Sequence, residues 1–354
     1  MEEVYTNQMK KIEIELEKWL PGIKDFQTGS ESSETAAAEA AWADLKKISN
    51  TSLQALLLPA KDMLSRGGKR WRPLLTTIIC ECLGGGDSAL PLTPLIEFAH
   101  NATLVHDDIE DDAEERRGKP SIHKIHGVDS AINSGSYLYF LSLKCLEAYQ
   151  GKNKDLIYKL WGTNLRDCHL GQAIDISWHR KVPFIPSVEE YLAMCSLKTG
   201  SLARLSAEIG AFCADASEDM AKKLGDAAQK LGVGFQILDD VKNLTMGVPG
   251  KKRGDDVVEG KKSLPILLYL IRYPEMREKV FYCFHAAKIN GPSAPEIAEL
   301  IHNLNETSVL KEAEEKARNL IDEARTIFSC KELTGSPISV KSYELLSGLI
   351  DLIS

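Results

Sequence analysis

The sequence predicts an all-α protein, and three features of the chain support that prediction. Apolar residues recur at helical spacing from about residue 40 nearly to the end. Alternating β-branched runs bounded by Asn-Gly turns, which mark hairpins, do not occur in the sequence. The breaks between apolar segments fall at glycine and proline, as at Gly84-Gly85-Gly86. Together these features predict a single large bundle of long helices around a central cavity, and sites in such bundles form from facing helices.

The N-terminal part of the chain differs from the rest. Residues 3–20 mix charged and apolar side chains and predict a helix that Pro21-Gly22 ends. Residues 21–39 are rich in Ser, Thr and Gly, a composition typical of a linker. We therefore expect an N-terminal helix and flexible linker over residues 1–39 and one all-helical domain over residues 40–354.

The helices of the main domain follow one another with short breaks. The first runs over residues 45–58, and Pro59 is placed to kink or interrupt it. A second follows the break at Arg66-Gly67-Gly68 and ends before Gly84. Later helices are predicted over 91–112, 127–149, 154–178, 187–212 and 216–245, then a polar loop over 246–262, three or four helices over 263–327 and a last helix over 338–352.

Composition excludes several classes of protein. The chain has 354 residues, of which 44% are hydrophobic and 27% charged, enough for a large core. A net charge of −8 argues against a general nucleic-acid binder. The sequence has no run of about 18 apolar residues, so no integral membrane segment is expected, and the first residues lack the apolar core of a signal peptide. Eight scattered cysteines without a CxxC pair indicate reduced core thiols and a cytoplasmic protein.

Two apolar segments end in clustered aspartates. LVHDDIEDDAEERR (104–117) and LGVGFQILDDVKN (231–243) carry these acids. Residues four apart share a helix face, so Asp107 with Asp111, and Asp239 with Asn243, would each present two oxygen ligands. A lone acid run would be interpreted as a solvated helix end, but a second occurrence favours a metal site. Hard oxygen ligands suit Mg²⁺, which completes its shell with water and substrate phosphates, so we predict a magnesium–phosphate site.

Seven short motifs occur in order between about residues 60 and 270. They are Gly68-Lys69-Arg70-x-Arg72-Pro73, Asp107-Asp108-x-x-Asp111, Arg116-Arg117-Gly118, Lys198-Thr199-Gly200, Gly234-Phe235-Gln236, Asp239-Asp240 and Gly260-Lys261. This ordered set resembles the trans (all-E) isoprenyl diphosphate synthases, which condense allylic diphosphates with isopentenyl diphosphate. The second aspartate motif ends in Asn243 where the family pattern has an aspartate. This form of the motif is similar to that of geranylgeranyl diphosphate synthases of the eukaryotic type. The resemblance implies an isoprenoid synthase-like fold and a trans-prenyltransferase activity.

The resemblance also implies roles for individual residues. Asp107, Asp111 and Asp239 would hold three Mg²⁺ on the allylic diphosphate, with Asp108 and Asp240 in support. The cations Lys198, Lys251, Lys261 and Arg116 would complete the clamp on that diphosphate. Thr199 and Gln236 would direct oxygens at the carbocation, and the released pyrophosphate would take the final proton. A metal-free second site for isopentenyl diphosphate would use Gly68, Lys69, Arg72, His100 and Arg117.

Product length is expected to depend on the helix before Asp107. In the family, bulky aromatics four and five residues before the first aspartate stop growth early, whereas this chain has the small residues Thr103 and Ala102. The resemblance therefore implies a product of twenty carbons or slightly more, with Ala99 and Tyr137 as further candidates for the floor of the channel. The second motif departs from the family pattern at Asn243, which loses a charge but keeps an oxygen.

Several alternatives stay open at this point. A synthase of longer chains would share the same site, and a class I terpene cyclase would share the helical fold and an aspartate motif. Lys69, Arg72 and Arg117 argue against a cyclase, because a cyclase binds no second diphosphate. A regulatory subunit would tend to lose motif residues that are intact here. Zinc at His123-x-x-His126 is disfavoured because no cysteine or third ligand accompanies the pair. The expected partners are isopentenyl diphosphate, an allylic primer (dimethylallyl, geranyl or farnesyl diphosphate) and a second copy of the chain.

Overall fold

A computed structural model describes residues 2–22, 47–180, 184–247, 253–329 and 337–353. The predicted boundary at residue 39 and Lys251 lie outside these residues. Over the described residues the protein is almost entirely helical, which confirms the predicted fold class. None of the described helices is both long enough and apolar enough to cross a bilayer.

The described residues form two compact units. We call Glu2–Pro73 with Leu90–Tyr149 the N-terminal unit, and Leu74–Ala89 with Gln150–Ser354 the C-terminal unit. The division falls inside one helix, Trp71–Cys82, at Pro73. Each unit has a core of its own and carries one of the two aspartate motifs.

The N-terminal unit packs long helices around α4, which carries the first aspartate motif. Met63, Val105, Ile122 and Ala131 form part of its buried core. The helix α2 continues through Pro59 even though proline cannot donate the hydrogen bond of that turn. In chain order, the elements are α1 (Glu2–Trp19), α2 (Asn50–Ser65), the start of α3 (Trp71–Cys82), a 3₁₀ segment (Gly86–Leu92, which ends in this unit), α4 (Thr93–Glu110), β1 (Glu115–Arg116), β2 (Lys119–Pro120), α5 (Ile122–His126) and α6 (Val128–Ala148).

The C-terminal unit packs its helices around the long helix α10 (Glu218–Thr245), which carries the second aspartate motif and contacts α9 (Ser201–Cys213) and α15 (Val309–Phe328). Ser217 caps the start of α10 by accepting a hydrogen bond from the backbone of Met220. In chain order, the elements after α3 are α7 (Lys154–Arg180), α8 (Val188–Cys195), a π-helical turn (Ser196–Gly200), α9 (Ser201–Cys213), α10 (Glu218–Thr245), α11 (Asp255–Glu259), α12 (Leu264–Arg272), a 3₁₀ turn (Pro274–Met276), α13 (Arg277–Asn290), a 3₁₀ turn (Gly291–Ser293), α14 (Pro295–Asn305), α15 (Val309–Phe328) and α16 (Pro337–Ile353).

Two local predictions need correction. The helix expected over 187–212 is three segments, because the chain passes through a π-helical turn at Ser196–Gly200. The loop expected over 246–262 contains the short helix α11, which lies between Gly254 and Gly260, both with φ near +80°. Both elements are only five residues long, which is too short for a repeating pattern of apolar residues to reveal them in the sequence.

Candidate active site

The first aspartate motif lies where α4 ends. Asp111 follows the last helical residue, and its backbone N–H donates to the carbonyl of Asp107 at 2.9 Å. Asp107 and Asp111 are half-buried, whereas Asp108 is fully buried. The other acids of the stretch are exposed: they are Glu110, Asp112, Glu114 and Glu115. The motif therefore divides into two carboxylates that reach solvent and one that does not.

Arg116 neutralises the buried carboxylate. Its Nε donates to Asp108 Oδ1 at 2.7 Å, and its Nη2 lies 3.4 Å from Asp107 Oδ2. A fully buried carboxylate is stable only with such a partner. The supporting role expected for Asp108 thus has a physical basis in the hydrogen bond that orients Arg116 beside Asp107.

Arg117 occupies the tip of a two-residue hairpin turn between β1 and β2. It has φ of 55° and the next residue, Gly118, has φ of 74°, as a type I′ turn requires. The Arg117 guanidinium donates to the carbonyl of Gly67 and to Asn101 Oδ1. Burial, with other arginines nearby, lowers the pKa of Arg117 to about 10, so the side chain stays charged at neutral pH.

Gly68 lies directly against Arg117. A Cβ at Gly68 would come within 2.9 Å of Arg117 Nη2, and the backbone there has φ of 134°. The backbone conformation disfavours residues with a side chain, and a Cβ would require the Arg117 guanidinium to shift. The described contact of Gly68 is therefore with Arg117, and its assignment to isopentenyl diphosphate stays a prediction.

A buried network that the motifs did not reveal supports these residues. Arg70 donates to Glu97 Oε1 at 2.6 Å and to Glu13 Oε1 at 2.9 Å. Asn101 Nδ2 donates to the same Glu97 oxygen at 2.7 Å, and Asn101 Oδ1 accepts from Arg117. A lone glutamate within the apolar run TPLIEFA was the available signal, because an unpaired buried carboxylate is rarely tolerated.

Arg72 and His100, which the resemblance assigns to one site, are neighbours. Arg72 Nη1 lies 3.3 Å from His100 Nε2, and its guanidinium stacks 4.3 Å from the centre of the Trp71 ring. Because arginine only donates, His100 Nε2 accepts and the imidazole is neutral. Burial, followed by the charges of Arg72 and Arg117, lowers the pKa of His100 well below its ordinary value. Lys69 is exposed on the same segment.

The residues predicted to affect product length lie on α4 and α6. Ala99 and Ala102 are fully buried, and Thr103 is half-buried with its hydroxyl donating to the carbonyl of His100 at 2.7 Å. Tyr137 is also half-buried, and burial raises the pKa of its phenol to about 12.

In the C-terminal unit, Asp239 and Asp240 face different surroundings on α10. Asp239 is half-buried, whereas Asp240 is buried and accepts from Tyr191 Oη at 2.6 Å and Gln236 Nε2 at 3.0 Å. Burial, and then the nearby carboxylate of Asp256, raises the pKa of Asp240 to about 7. Asp240 therefore anchors α10 to Tyr191, a residue of α8 that the motif search missed because the contact spans 49 positions.

Gln236 links the second aspartate motif to Thr199. Thr199 Oγ1 donates to Gln236 Oε1 at 2.8 Å, which joins the π-helical turn to α10. Lys198, on the same turn, donates to Asp175 Oδ2 at 2.7 Å, and His179 contacts the other oxygen of Asp175. Burial would raise the pKa of Asp175, but Lys198 and His179 outweigh it and hold that pKa well below its usual range. The contact between Asp175 and Lys198 joins α7 to the π-helical turn across 23 positions of the chain, so no local motif reveals it.

Asn243 has a different role from the one expected. Its side-chain Oδ1 accepts from the backbone N–H of Asp256 at 3.3 Å, and its carbonyl accepts from Gly254 at 3.0 Å. The residue is buried, so it attaches the segment that leads into α11 to the end of α10. Beyond α11, Lys261 contacts Glu259 and lies 3.5 Å from Asp256 Oδ1.

The donor groups fit Mg²⁺. Within the described ranges, no three His, Cys, Asp or Glu side chains are arranged to hold a metal by themselves. Magnesium differs from zinc in needing only one or two carboxylates, since water and phosphate oxygens supply the remaining ligands. Asp107, Asp111 and Asp239 each present a half-buried carboxylate of the kind that such a site uses.

Comparison with known proteins supports the family resemblance that the sequence motifs indicated. Residues 53–300 match the model of the polyprenyl synthetase family. A geranylfarnesyl diphosphate synthase of Aeropyrum pernix is 33% identical over 304 residues, which cover 82% of this chain and 91% of that protein. The crystal structure of a geranylgeranyl pyrophosphate synthetase from Pyrococcus horikoshii superposes with a TM-score of 0.76 at 27% identity and covers 99% of this chain and 98% of that one.

A third similarity concerns the fold alone. A polyprenyl synthase from Caulobacter crescentus, solved with calcium and isoprenyl diphosphate, has a TM-score of 0.72 at 23% identity, with 97% and 96% of the two chains covered. The family match spans more than half of the chain and includes every motif on which the resemblance was based. The chain therefore belongs to the polyprenyl synthetase family, as the motifs predicted.

Proposed function

We propose that the protein is a Mg²⁺-dependent prenyltransferase that joins an allylic diphosphate to isopentenyl diphosphate and makes geranylgeranyl diphosphate or a slightly longer product. The observation that carries this proposal is the group formed by Arg72, His100 and Arg117. Two guanidinium groups beside a neutral imidazole provide a cationic, metal-free place for a diphosphate. The same unit carries Asp107 and Asp111, so it offers two kinds of diphosphate ligand.

The allylic diphosphate is assigned to the aspartate motifs. Three bound Mg²⁺ would neutralise the charge that develops on the departing pyrophosphate. Asp107, Asp111 and Asp239 supply the protein oxygens, with Asp108 and Asp240 in support. Arg116, Lys198 and Lys261 add positive charge to the same diphosphate, and so does Lys251, which lies outside the described residues. Preorganised charge of this kind is usually the largest contribution to catalysis.

The carbocation left on the allylic chain needs nearby oxygen atoms and no competing nucleophile. The hydroxyl proton of Thr199 is donated to Gln236, so the lone pairs of Thr199 Oγ1 stay available to stabilise positive charge. We assign no side chain as the final base, because the released pyrophosphate is itself a base next to the proton that is lost.

Isopentenyl diphosphate is assigned to Gly68, Lys69, Arg72, His100 and Arg117. The small residues Ala102 and Thr103 support a long product, and relatives that carry geranylgeranyl and geranylfarnesyl names agree with that length. Ala99 and Tyr137 are assigned to the lining of the same product channel. A homodimer and a cytoplasmic location stay predictions.

The test is an assay with isopentenyl diphosphate, Mg²⁺ and each allylic primer in turn (dimethylallyl, geranyl and farnesyl diphosphate), followed by analysis of product length. We expect a product of twenty or twenty-five carbons. Asp107→Ala and Asp239→Ala should each lower the rate by about a thousand-fold or more. The control Glu110→Ala, which removes an exposed acid of the first motif's stretch, should keep a near-normal rate.

Three results would contradict the proposal. Near-normal activity in either aspartate variant would remove the metal assignment. Conversion of an allylic diphosphate without consumption of isopentenyl diphosphate would identify a cyclase, and products well beyond twenty-five carbons would identify a synthase of longer chains.

A further inference from the structure

A partly buried ion pair at the end of α2 has no assigned role. Asp62 and Arg66 lie on and just after the last turn of α2, and the Arg66 side chain is completely excluded from solvent. Arg66 Nε donates to Asp62 Oδ1 at 2.9 Å, and Nη2 donates to Asp62 Oδ2 at 3.2 Å. This forked contact occupies one edge of the guanidinium and leaves Nη1 for other acceptors.

Nη1 of Arg66 bridges the two strands of the hairpin. It donates to the carbonyl of Arg116 on β1 at 3.1 Å and to the carbonyl of Pro120 on β2 at 2.9 Å. In the opposite direction, the side chain of Arg117 donates to the carbonyl of Gly67, the residue after Arg66. The end of α2 and the hairpin are therefore held together by bonds that run both ways.

The hairpin needs such support. Each strand has only two residues, and a two-stranded hairpin is marginal by itself. Arg117 has a left-handed backbone that residues with a side chain adopt only where the surroundings impose it.

The carboxylate of Asp62 also reaches the helix that follows the hairpin. His126, at the end of α5, lies with its Nε2 3.1 Å from Asp62 Oδ2. Burial would raise the pKa of Asp62, but Arg66 and His126 keep it below its ordinary value, so the carboxylate stays charged. Residues on both sides of the hairpin are thus attached to one carboxylate.

We propose that Asp62 and Arg66 are positioning residues for diphosphate binding, which hold the backbone of residues 115–120 so that Arg116 and Arg117 meet phosphate oxygens. Neither residue is assigned a contact with substrate. The inference rests on the proposed function, since Arg117 is assigned there to isopentenyl diphosphate. Because guanidinium groups bind phosphate with a fixed fork geometry, a small displacement of the hairpin weakens binding.

The first experiment is steady-state kinetics of Arg66→Met, which keeps an unbranched side chain with a long apolar stem but removes every side-chain donor. We expect the KM for isopentenyl diphosphate to rise about 10-fold, with kcat changed by less than about 3-fold. A merely structural role would reduce the folded fraction and lower the apparent kcat at an unchanged KM. Lys119→Met removes one positive charge from an exposed position of the same hairpin and should leave KM unchanged. An unchanged KM in folded Arg66→Met overturns the inference.

The second experiment does not depend on activity. Hydrogen exchange of the peptide over residues 115–121 should be faster in Arg66→Met than in the original protein, while exchange in α15 stays the same. Where Arg66→Met does not fold, Asp62→Asn is measured in its place, because it keeps the Arg66 donors but loosens the fork. Unchanged exchange in the hairpin overturns the inference even if the protein is a synthase, and faster exchange in a protein without synthase activity would contradict only the proposed function.

Discussion

The close contact with Arg117 is one reason why position 68 is a glycine. A side chain there would meet the guanidinium at 2.9 Å, so even alanine would displace the group that we assign to a diphosphate. The resemblance assigned this glycine to the isopentenyl diphosphate site but did not indicate its contact with Arg117. A contact between positions 68 and 117 has no signature in either local segment, because it depends on how the hairpin folds back onto the end of α2.

Thr103 provides a test of product length at the level of one side chain. It is half-buried on α4, four residues before Asp107, and its neighbour Ala102 is fully buried. We expect Thr103→Phe to shorten the product by at least one isoprene unit, because the ring occupies space along the helix where the growing chain is proposed to lie. The measurement is product analysis with farnesyl diphosphate as primer.

The matched control is Thr103→Ser, which keeps the hydroxyl that bonds to the carbonyl of His100 and adds no volume. Product length should be the same as in the original protein. If Thr103→Phe also makes the original product at a normal rate, the growing chain does not run along this face of α4. Ala102→Phe should shorten the product as well, but we expect it to lower the free energy of unfolding by about 1–3 kcal/mol, since it overfills a closed site.

Among the helices, α7 and the π-helical turn come unusually close together. A Cβ at Gly171 of α7 would lie 2.3 Å from the backbone nitrogen of Lys198 and 2.8 Å from its Cα. These are backbone atoms, which cannot rotate away as a flexible side chain would. With the two elements this close, Lys198 Nζ lies 2.7 Å from Oδ2 of Asp175, a residue one turn further along α7 than Gly171.

We expect Gly171→Ala to lower the free energy of unfolding by about 1–3 kcal/mol and to reduce synthase activity, because the turn that carries Lys198 and Thr199 must move. Gly162→Ala is the matched control on the same helix, where a Cβ would meet nothing within 4 Å. It should raise the free energy of unfolding by up to about 1 kcal/mol, since alanine favours the helix. Urea unfolding of both variants measures the difference, and equal stabilities would show that the close approach has no energetic consequence.

The elements that the sequence did predict are those with long periodic patterns. The helices α4, α6, α7 and α10 lie within two or three residues of their expected bounds, since each has an apolar face of many turns. The π-helical turn and α11 were not predicted, because five residues are too few to establish a period. The capping box of Ser187 and Glu190 does mark the start of α8 in the sequence.

For the molecule as a whole, the fold class and the family followed from composition, periodicity and the order of motifs. The hydrogen-bond partners of the candidate functional side chains could not be predicted from the sequence. Asp240 with Tyr191, Lys198 with Asp175, and Asn243 with Asp256 are tertiary contacts between elements whose packing the sequence does not reveal. Motif order therefore gives the candidate residues, and the structure adds which of them are held by protein partners.

Ligand binding to the native state should stabilise the whole chain, which tests the metal and diphosphate assignment without a reaction. A ligand at one hundred times its Kd adds about 2.7 kcal/mol to the free energy of unfolding. We expect Mg²⁺ together with pyrophosphate to raise the Tm by several degrees, and each alone to raise it much less, because the metal binds through protein carboxylates and phosphate oxygens together. Asp107→Asn and Asp239→Asn should each lose most of this increase, whereas Glu110→Gln, which removes the same charge from an exposed acid, should keep it. An increase that survives in both aspartate variants would mean that the ligand binds elsewhere, and an increase lost in only one of them would assign the ligand to a single motif.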